Sequence, residues 1–331
     1  MKFRMSPLSN GSVVEEWNPA LKRVVDHISQ VIIGKESVVR LVLVGLLAGG
    51  HCLIEDVPGV GKTMLVRATA RTLGCDFRRI QFTPDLLPSD VTGVSIYNQR
   101  TQAFEFRQGP IFGQVILADE INRTSPKTQS ALLEALEEHH VTVDGTTYPL
   151  PDPFFVLATE NPIEFEGTFP LPEAQLDRFL LKFAVGYPSF DDEVSILSAT
   201  RPVNPVESIV PQATPDDVVK WQNQAKAVHV EDTVRHYLVE FVQATRHHPH
   251  IYLGASPRGS VALYRAAQAF AFVAGRTYVV PDDVRYLAAF VLEHRLILSA
   301  DARLSGTTAK SVLQEIASGL KVPMMQGLSR A

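Results

Sequence analysis

The 331-residue chain has only two cysteines, no long hydrophobic run and no excess of positive charge. Cys52 and Cys75 lie in neither a CxxC motif nor a cysteine–histidine cluster, so the sequence predicts neither a disulfide framework nor a cysteine-based metal site. The most apolar stretch, residues 41–48, is shorter than the roughly 18 apolar residues that a membrane-spanning helix needs. Residues 1–12 lack the apolar core of a secretory signal, and we therefore expect a cytoplasmic protein.

Acidic side chains outnumber basic ones. The 36 Asp and Glu against 31 Lys and Arg give a formal net charge of −5, which provides no global attraction to nucleic acid. Hydrophobic residues at 45% and charged residues at 20% are typical of a globular protein, and the length suits one large domain or two modest ones. We expect no membrane insertion, and nucleic acid is not the expected partner.

The order of the sequence patterns predicts two domains. In residues 1–188, short apolar runs alternate with helical patterns, which is typical of a parallel sheet covered by helices. The five predicted strands are residues 51–55, 77–82, 115–119, 154–159 and 180–185. Residues 189–331 show helical periodicity instead and predict an all-helical domain. The predicted fold class is therefore α/β, followed by an all-α domain.

A glycine-rich segment follows the first predicted strand. Residues 56–63 read DVPGVGKT, and a helical pattern continues to residue 73. Gly59 and Gly61 would let backbone N–H groups wrap a phosphate chain, while Lys62 would reach the terminal phosphates and the Thr63 hydroxyl would bind magnesium. Asp56 stands where the usual pattern has glycine, at a position peripheral to the phosphates. The segment predicts binding of MgATP, and the alternative is a chance glycine-rich turn.

The third and fourth predicted strands end in polar side chains. Asp119 and Glu120 close the third strand, at the sheet edge where open α/β sheets place ligand chemistry. There Asp119 would hold magnesium, and Glu120 would orient or deprotonate the attacking water. Asn161, after the fourth strand, could hydrogen-bond that water or the γ-phosphate. The alternatives are a solvated acidic turn and an ordinary Asn–Pro turn.

With these three strand ends, the chain resembles the MoxR family of AAA+ ATPases. The resemblance covers nearly the whole chain. The segments that carry it are residues 31–34 (VIIG), 55–63 (EDVPGVGKT), 118–129, 132–138, 175–179 (QLDRF) and 254–258 (GASPR). The resemblance implies a five-stranded parallel sheet in the order 5-1-4-3-2, a helical lid, and a homo-oligomer that is usually a ring of six subunits.

The resemblance also implies a set of site residues. Those expected to contact the nucleotide or its magnesium are Ile33, Gly34, Pro58, Gly59, Val60, Gly61, Lys62, Thr63, Met64 and Asp119. Asn161 would be sensor 1, Arg178 an arginine finger that reaches the nucleotide of a neighbouring subunit, and Arg258 sensor 2 from the lid. A guanidinium suits the charge that develops on phosphoryl oxygens. Without the resemblance, both arginines are more typical of surface ion pairs.

Two patterns interrupt the alternation of strands and helices. Residues 92–106 and 141–148 each consist of two alternating runs around a polar turn, which predicts a β-hairpin. Both resemble the insertions of the helix-2-insert branch of AAA+ proteins. They could contact a substrate or partner, or serve only as structure or ring contacts.

Three functions are compatible with these features. The leading hypothesis is an ATPase that remodels or matures partner protein complexes, and the resemblance implies a partner with a von Willebrand factor A domain. The second is a module that assembles into a ring on binding ATP, with little turnover. The third is a motor subunit of a magnesium chelatase-like or DNA-associated complex.

Overall fold

The computed structural model describes residues 17–162, 168–198 and 205–323. The chain divides into two compact units: residues Ala20–Trp221 form one, and the described residues from Gln222 onward, with the short segment before Ala20, form the other. The domain boundary predicted at residue 188 remains a prediction. The first helix after residue 188, Phe190–Ser198, belongs by compactness to the first unit, as does the part of the next helix, Pro215–Lys226, up to Trp221.

The first unit contains the predicted sheet and the helices around it. Its helices in chain order are α1 (Pro19–Ser29), α2 (Glu36–Leu47), α3 (Lys62–Thr72), α4 (Pro88–Thr92), α5 (Pro126–Glu138), α6 (Glu173–Leu176), α7 (Phe190–Ser198) and α8 (Pro215–Lys226). Its strands are β1 (Cys52–Glu55), β2 (Phe77–Gln81), β3 (Gly93–Asn98), β4 (Ala103–Gln108), β5 (Val115–Asp119), β6 (His140–Val143), β7 (Thr146–Pro149), β8 (Phe155–Glu160) and β9 (Leu181–Phe183).

The central sheet has five parallel strands in the order β2-β5-β8-β1-β9. Numbered within the sheet alone, this is the predicted order 5-1-4-3-2, which is confirmed. Every residue of β5 is buried, and so are the first five of the six residues of β8. Helices cover both faces of such a sheet, which explains why these strands read as continuous apolar runs in the sequence. The carboxyl ends of β1, β5 and β8 therefore meet at one edge.

Two antiparallel hairpins lie outside the central sheet. Strands β3 and β4 pair along their whole length, and β6 pairs with β7. In the second hairpin the turn residues Asp144 and Gly145 have φ values of 51° and 77°. Two successive positive φ angles are typical of a type I′ turn, which suits the twist of paired strands and which an Asp–Gly pair favours.

The second unit is mainly helical. Its helices are α9 (Asp232–His247), α10 (Pro257–Val273), α11 (Pro281–Leu292), α12 (Ala300–Leu304) and α13 (Ala309–Gly319). It also contains a short antiparallel pair, β10 (Ile251–Leu253) with β11 (Ile297–Leu298), so the prediction of a purely helical second domain was wrong in this detail. Strands of three and two residues are too short to show a period of two in the sequence. No helix in the described part of the chain is long and apolar enough to span a bilayer.

Candidate functional site

The glycine-rich segment forms the loop between β1 and α3. Gly59 and Gly61 both have φ of 88°, and Gly61 is the residue before the first turn of α3. A Cβ atom at either glycine would have no described atom within 4 Å, so the requirement for glycine comes from the backbone angle and not from lack of space. Pro58 and Gly59 are exposed, and Val60 is partly exposed. The loop is therefore open on the side where the glycines lie.

Lys62 lies between the loop and the acidic pair. Its Nζ donates a hydrogen bond to the backbone oxygen of Asp56 at 2.8 Å. Burial lowers the pKa of Lys62, while the carboxylates of Asp56, Asp119 and Glu120 act in the opposite direction. Because these carboxylates influence Lys62, the fold brings the loop lysine and both residues at the end of β5 into one charged site. Thr63 and Met64, in the first turn of α3, are partly exposed beside it.

Asp119 is buried and held on both carboxylate oxygens. Its Oδ1 accepts a hydrogen bond of 2.7 Å from the Thr159 hydroxyl on β8, and its Oδ2 accepts bonds of 2.8 and 3.2 Å from Arg79 on β2. The same Thr159 oxygen accepts a bond of 2.9 Å from the backbone N–H of Glu120. One hydroxyl on a neighbouring strand therefore fixes the side chain of Asp119 and the backbone of Glu120 together.

Glu120 sits in a backbone conformation that is unusual for a side chain with a Cβ. Its φ is 58°, at the point where the chain leaves β5. Such positive φ angles cost free energy and are concentrated at functional sites. The Glu120 carboxylate accepts a hydrogen bond of 2.9 Å from Gln81 on β2 and forms a 3.3 Å ion pair with Arg123. The carboxylate is thus kept beside Asp119 by side chains from both sides.

Asn161 is buried directly after β8, the strand that lies between β1 and β5. Its backbone oxygen accepts a hydrogen bond of 3.3 Å from the Asn122 amide. The buried Gln129 amide on α5 donates to the backbone oxygens of Ile121 at 3.0 Å and Phe169 at 2.8 Å. The turn after β5 and the chain beyond Asn161 are therefore bound to each other. Asn161 lies between the phosphate loop and the acidic pair in sheet order.

Glu160, the last residue of β8, is a second ionisable group at this edge. It pairs in register with Glu55 on β1, and Lys182 on β9 forms an ion pair with Glu55. Burial raises the pKa of Glu160 to about 7, Lys182 opposes this rise, and Glu55 adds to it. The protonation state of the residue before Asn161 therefore changes near neutral pH.

Asp56, which stands where the usual pattern has glycine, ties the start of the loop to a distant turn. Its Oδ2 accepts a hydrogen bond of 2.6 Å from the backbone N–H of Gly186, beyond β9, and its Oδ1 accepts one of 2.8 Å from Val57. Lys35 donates to the backbone oxygens on either side of Gly186, at 2.9 Å to Val185 and 2.8 Å to Tyr187. The start of the phosphate loop and the turn after β9 are thus one hydrogen-bonded unit.

Ile33 and Gly34 lie in the turn between α1 and α2. Gly34 has φ of 71°, and a Cβ there would stand 2.2 Å from the Asp192 carboxylate on α7. Only glycine therefore fits between this turn and α7. Ile33 is partly exposed. The next residue, Lys35, donates hydrogen bonds to the turn after β9. That turn is itself hydrogen-bonded to Asp56 at the start of the phosphate loop.

The two arginines lie in different parts of the chain. Arg178, after α6, is partly exposed and forms a 3.2 Å ion pair with Glu137 on α5. The ion pair that its residue type alone suggested is present, and the arginine-finger role remains a prediction. Arg258 is exposed in the first turn of α10, in the second compact unit. Its role as sensor 2 also remains a prediction.

Three residues that hold the acidic pair were missed by the sequence analysis: Arg79, Gln81 and Thr159. Arg79 and Gln81 are two positions apart on β2, so they point to the same face of the sheet. The sequence did contain a signal for them, because two polar side chains two positions apart lie on a strand that was expected to pair with β5. Thr159 was taken as part of an apolar strand, and only the register of β5 with β8 reveals its contacts.

The oxygen donors at these strand ends fit a magnesium nucleotide. The Thr63 hydroxyl and the Asp119 carboxylate are hard oxygen ligands of the kind that magnesium prefers. Lys62 and the N-terminus of α3 supply positive charge for phosphates. No described atom lies within 4 Å of the position of a Cβ at Gly59 or Gly61, so the described residues leave space beside the loop. The residues present therefore fit MgATP.

Known proteins share both the sequence and the architecture. Residues 51–181 match the ATPase family associated with various cellular activities (AAA), and residues 243–316 match the AAA lid domain. The chain is 56% identical over 316 residues to the uncharacterised protein YeaC of Bacillus subtilis, which covers 96% of this chain and 99% of that protein. It is 41% identical over 317 residues to the chaperone MoxR1 of Mycobacterium tuberculosis, over 93% of this chain and 84% of that one.

The chain belongs to the MoxR family of AAA+ ATPases. A crystal structure from Cytophaga hutchinsonii, described as that of a candidate ATPase, is similar to this MoxR-family chain with a TM-score of 0.87 and 40% sequence identity. The match covers 92% of this chain and 95% of that one. The family assigned from the strand-end motifs is therefore confirmed.

The first prediction concerns Thr159, whose hydroxyl joins Asp119 to Glu120. Replacing it in Thr159→Val keeps the shape but removes both hydrogen bonds, so the two carboxylates shift relative to Lys62. We expect the rate of ATP hydrolysis to fall by about 10- to 100-fold with nucleotide affinity retained. Steady-state turnover and equilibrium binding of nucleotide measure the two quantities. Thr159→Ser keeps the hydroxyl and should retain the rate; an unchanged rate in Thr159→Val would show that the hydroxyl positions nothing important.

The second prediction concerns Asp56. Asp56→Gly introduces the usual glycine but leaves the Gly186 and Val57 N–H groups without their acceptor. We expect the free energy of unfolding to fall by about 1–3 kcal/mol, measured by urea unfolding followed by circular dichroism. Asp56→Asn retains one acceptor oxygen and should lose less. Equal stability of Asp56→Gly and the wild type would show that the link to Gly186 carries no stabilisation.

Proposed function

We propose that the protein hydrolyses ATP with Mg²⁺ and uses the cycle to remodel partner protein complexes. The observation that carries the proposal is the convergence of Lys62, in the loop after β1, with Asp119 and Glu120 at the end of β5, two parallel strands of the same sheet that are separated by β8. This is the edge of an open α/β sheet at which nucleotides bind. Membership of the MoxR family supports ATP hydrolysis, and the charged site in this chain has the groups that phosphoryl transfer requires.

Each residue has a role in this proposal. The backbone from Gly59 to Gly61 and the Lys62 ammonium bind the phosphates, and Thr63 and Asp119 would hold the magnesium, which neutralises phosphate charge when bound. Glu120 orients the attacking water and accepts its proton. Asn161, directly after β8, donates its amide to the water or the γ-phosphate. Ile33, Gly34, Pro58, Val60 and Met64 complete the nucleotide contacts.

The proposal extends to a homo-oligomer, a ring of six subunits. Arg178 would act in the site of a neighbouring subunit, where its guanidinium stabilises charge on the transferred phosphoryl group. Arg258 would act as sensor 2 from the second unit. Arg178 is well suited because its side chain is partly exposed and its ion pair with the partly exposed carboxylate of Glu137 is a contact of the kind that contributes little free energy.

The proposed remodelling role is based on the names of related proteins. One protein with 41% identity is named a chaperone, and ATP-driven conformational change is a physical basis for such action. We propose a cytoplasmic protein whose partner carries a von Willebrand factor A domain and whose client is an enzyme complex. A ring that binds ATP with little turnover, and a chelatase-like or DNA-associated motor, are the competing functions.

The third prediction tests hydrolysis and assembly together. With magnesium, the ATPase rate per subunit should rise with protein concentration if assembly completes the site. Glu120→Gln should reduce turnover by about 100-fold or more because the water loses its base, while ATP binding is retained. Glu134→Gln removes an exposed carboxylate of α5 and serves as the matched control.

A rate that is unaffected by Glu120→Gln would leave the nucleotide-binding module as the better function. Stimulation of turnover by nucleic acid with a steep salt dependence would instead favour the DNA-associated motor. Stimulation by chelatase partners would favour the chelatase-like motor.

The fourth prediction tests whether Arg178 acts between subunits. Arg178→Ala should bind ATP but hydrolyse it about 10³-fold more slowly. Mixing it with inactive Lys62→Ala subunits should restore turnover, because the Lys62→Ala subunit supplies Arg178 to a site that retains Lys62. Glu137→Gln breaks the same ion pair but keeps the arginine, so it should stay active. Absence of rescue in mixed assemblies, or equal loss in Glu137→Gln, would contradict the role.

A further inference from the structure

Arg79 forms an ion pair with Asp119, the carboxylate that would bind magnesium in the proposed function. Its Nη2 and Nε donate to the same oxygen of Asp119, Oδ2, at 2.8 and 3.2 Å, and the Thr159 hydroxyl holds Oδ1 at 2.7 Å. The Asp119 side chain is only 12% exposed, whereas the Arg79 side chain is 48% exposed. The buried partner is thus fixed, and the exposed partner is the one able to leave.

We propose that Arg79 is an internal counter-cation that competes with magnesium for Asp119 and so sets how strongly magnesium tightens nucleotide binding. The proposal rests on the proposed function, because it needs a magnesium nucleotide in this site. It adds a positioning residue from β2 to the residues of the phosphate loop and the end of β5. Arg79 acts through Asp119 and need not touch the nucleotide.

The charge of Asp119 explains why such a partner is present. A buried carboxylate without a cation is costly, because burial removes its hydration. Arg79 supplies that cation from the neighbouring strand, where β2 and β5 pair in register. The guanidinium has two N–H donors in a fixed plane, so two of its nitrogens can donate to the same carboxylate oxygen.

The same contact opposes the metal. A guanidinium and a hydrated divalent cation at one carboxylate repel each other, so magnesium binds either against this repulsion or after Arg79 has moved. Arg79 has a second acceptor within reach, since its Nη2 also donates to Gln81 Oε1 at 2.5 Å. The arginine can therefore release Asp119 without losing every hydrogen bond. Magnesium affinity is reduced by the free energy of the Arg79–Asp119 contact.

Arg78 provides a matched control for this effect. It is the preceding residue of β2, carries the same charge and forms an ion pair with Asp76 at 2.9 Å, away from Asp119. Removing Arg78 changes the net charge of the protein by the same amount as removing Arg79. A difference between the two variants therefore reports the contact with Asp119 and not the general electrostatic potential.

The experiment measures binding of a fluorescent ADP, N-methylanthraniloyl-ADP, to full-length protein in excess EDTA and in excess magnesium. ADP is used so that no turnover occurs. The quantity compared is the ratio of the two Kd values, which is the tightening due to magnesium. The proteins are the wild type, Arg79→Gln, Arg79→Lys and Arg78→Gln, each checked for folding by circular dichroism.

We expect this ratio to be larger in Arg79→Gln than in the wild type by about fivefold or more, the effect of one partly exposed ion pair. The Kd in EDTA should stay within about twofold, because in this proposal Arg79 acts through Asp119 and through the magnesium that Asp119 would hold. Arg79→Lys retains the charge but not the two donors, so its ratio should lie between those of the wild type and Arg79→Gln. Arg78→Gln should stay close to the wild type. A merely structural role would instead change the Kd in EDTA and the Kd in magnesium by the same factor and leave their ratio unchanged.

Three results would overturn the proposal while leaving the proposed function intact. They are an unchanged or smaller ratio in Arg79→Gln, the same increase in Arg78→Gln, and the same increase in Arg79→Lys. Failure of the wild type to bind the fluorescent ADP under either condition would instead overturn the proposed function, and this inference with it. The two failures are therefore distinguishable within one set of titrations.

Discussion

The hydroxyl group of Thr159 is the contact on which the geometry of the site depends. It donates to the Asp119 carboxylate and accepts from the Glu120 backbone, and it stands on β8, the central strand of the sheet. Since β8 also leads into Asn161, one side chain links the acidic pair to the strand that carries the third candidate group. The parallel register of β5 with β8 makes this possible, because it places Ala118 opposite Ala158 and their following residues side by side.

Charge in the site is balanced locally before any ligand is considered. The buried Asp119 faces Arg79, and Glu120 faces Gln81 and Arg123. Lys62 is held by a backbone oxygen and by the field of nearby carboxylates. Each of these contacts joins a buried or partly buried group to a more exposed one. In the proposed function a magnesium nucleotide would bring both a cation and anionic phosphates, which could replace these contacts without leaving a buried charge unpaired.

The sequence predicted the fold well because its signals were local. Each central strand is a short apolar run, and the loop between β1 and α3 requires glycines at fixed spacing. What it could not predict depends on pairing between distant segments. Gly186 reaches Asp56 only once β9 lies beside β1, and Arg79 reaches Asp119 only once β2 lies beside β5. For the same reason the sequence predicted no partner for Asp56, because a departure from the glycine pattern does not show which residue will contact it. The β10–β11 pair was missed because its strands are too short to show a pattern.

The two ends of the phosphate loop are held by different kinds of contact, and this has a mechanical consequence. Its last residues continue into α3, a regular helix. Its first residue, Asp56, is instead hydrogen-bonded to the turn after β9. Lys35 binds the same turn on both sides of Gly186, and the Asp192 carboxylate of α7 packs against Gly34. Lys62 is bonded to the backbone of Asp56 itself, so a group that draws Lys62 away removes one of the contacts that fix this residue. Direct hydrogen bonds therefore connect the first residue of the phosphate loop to the segment that leads into α7.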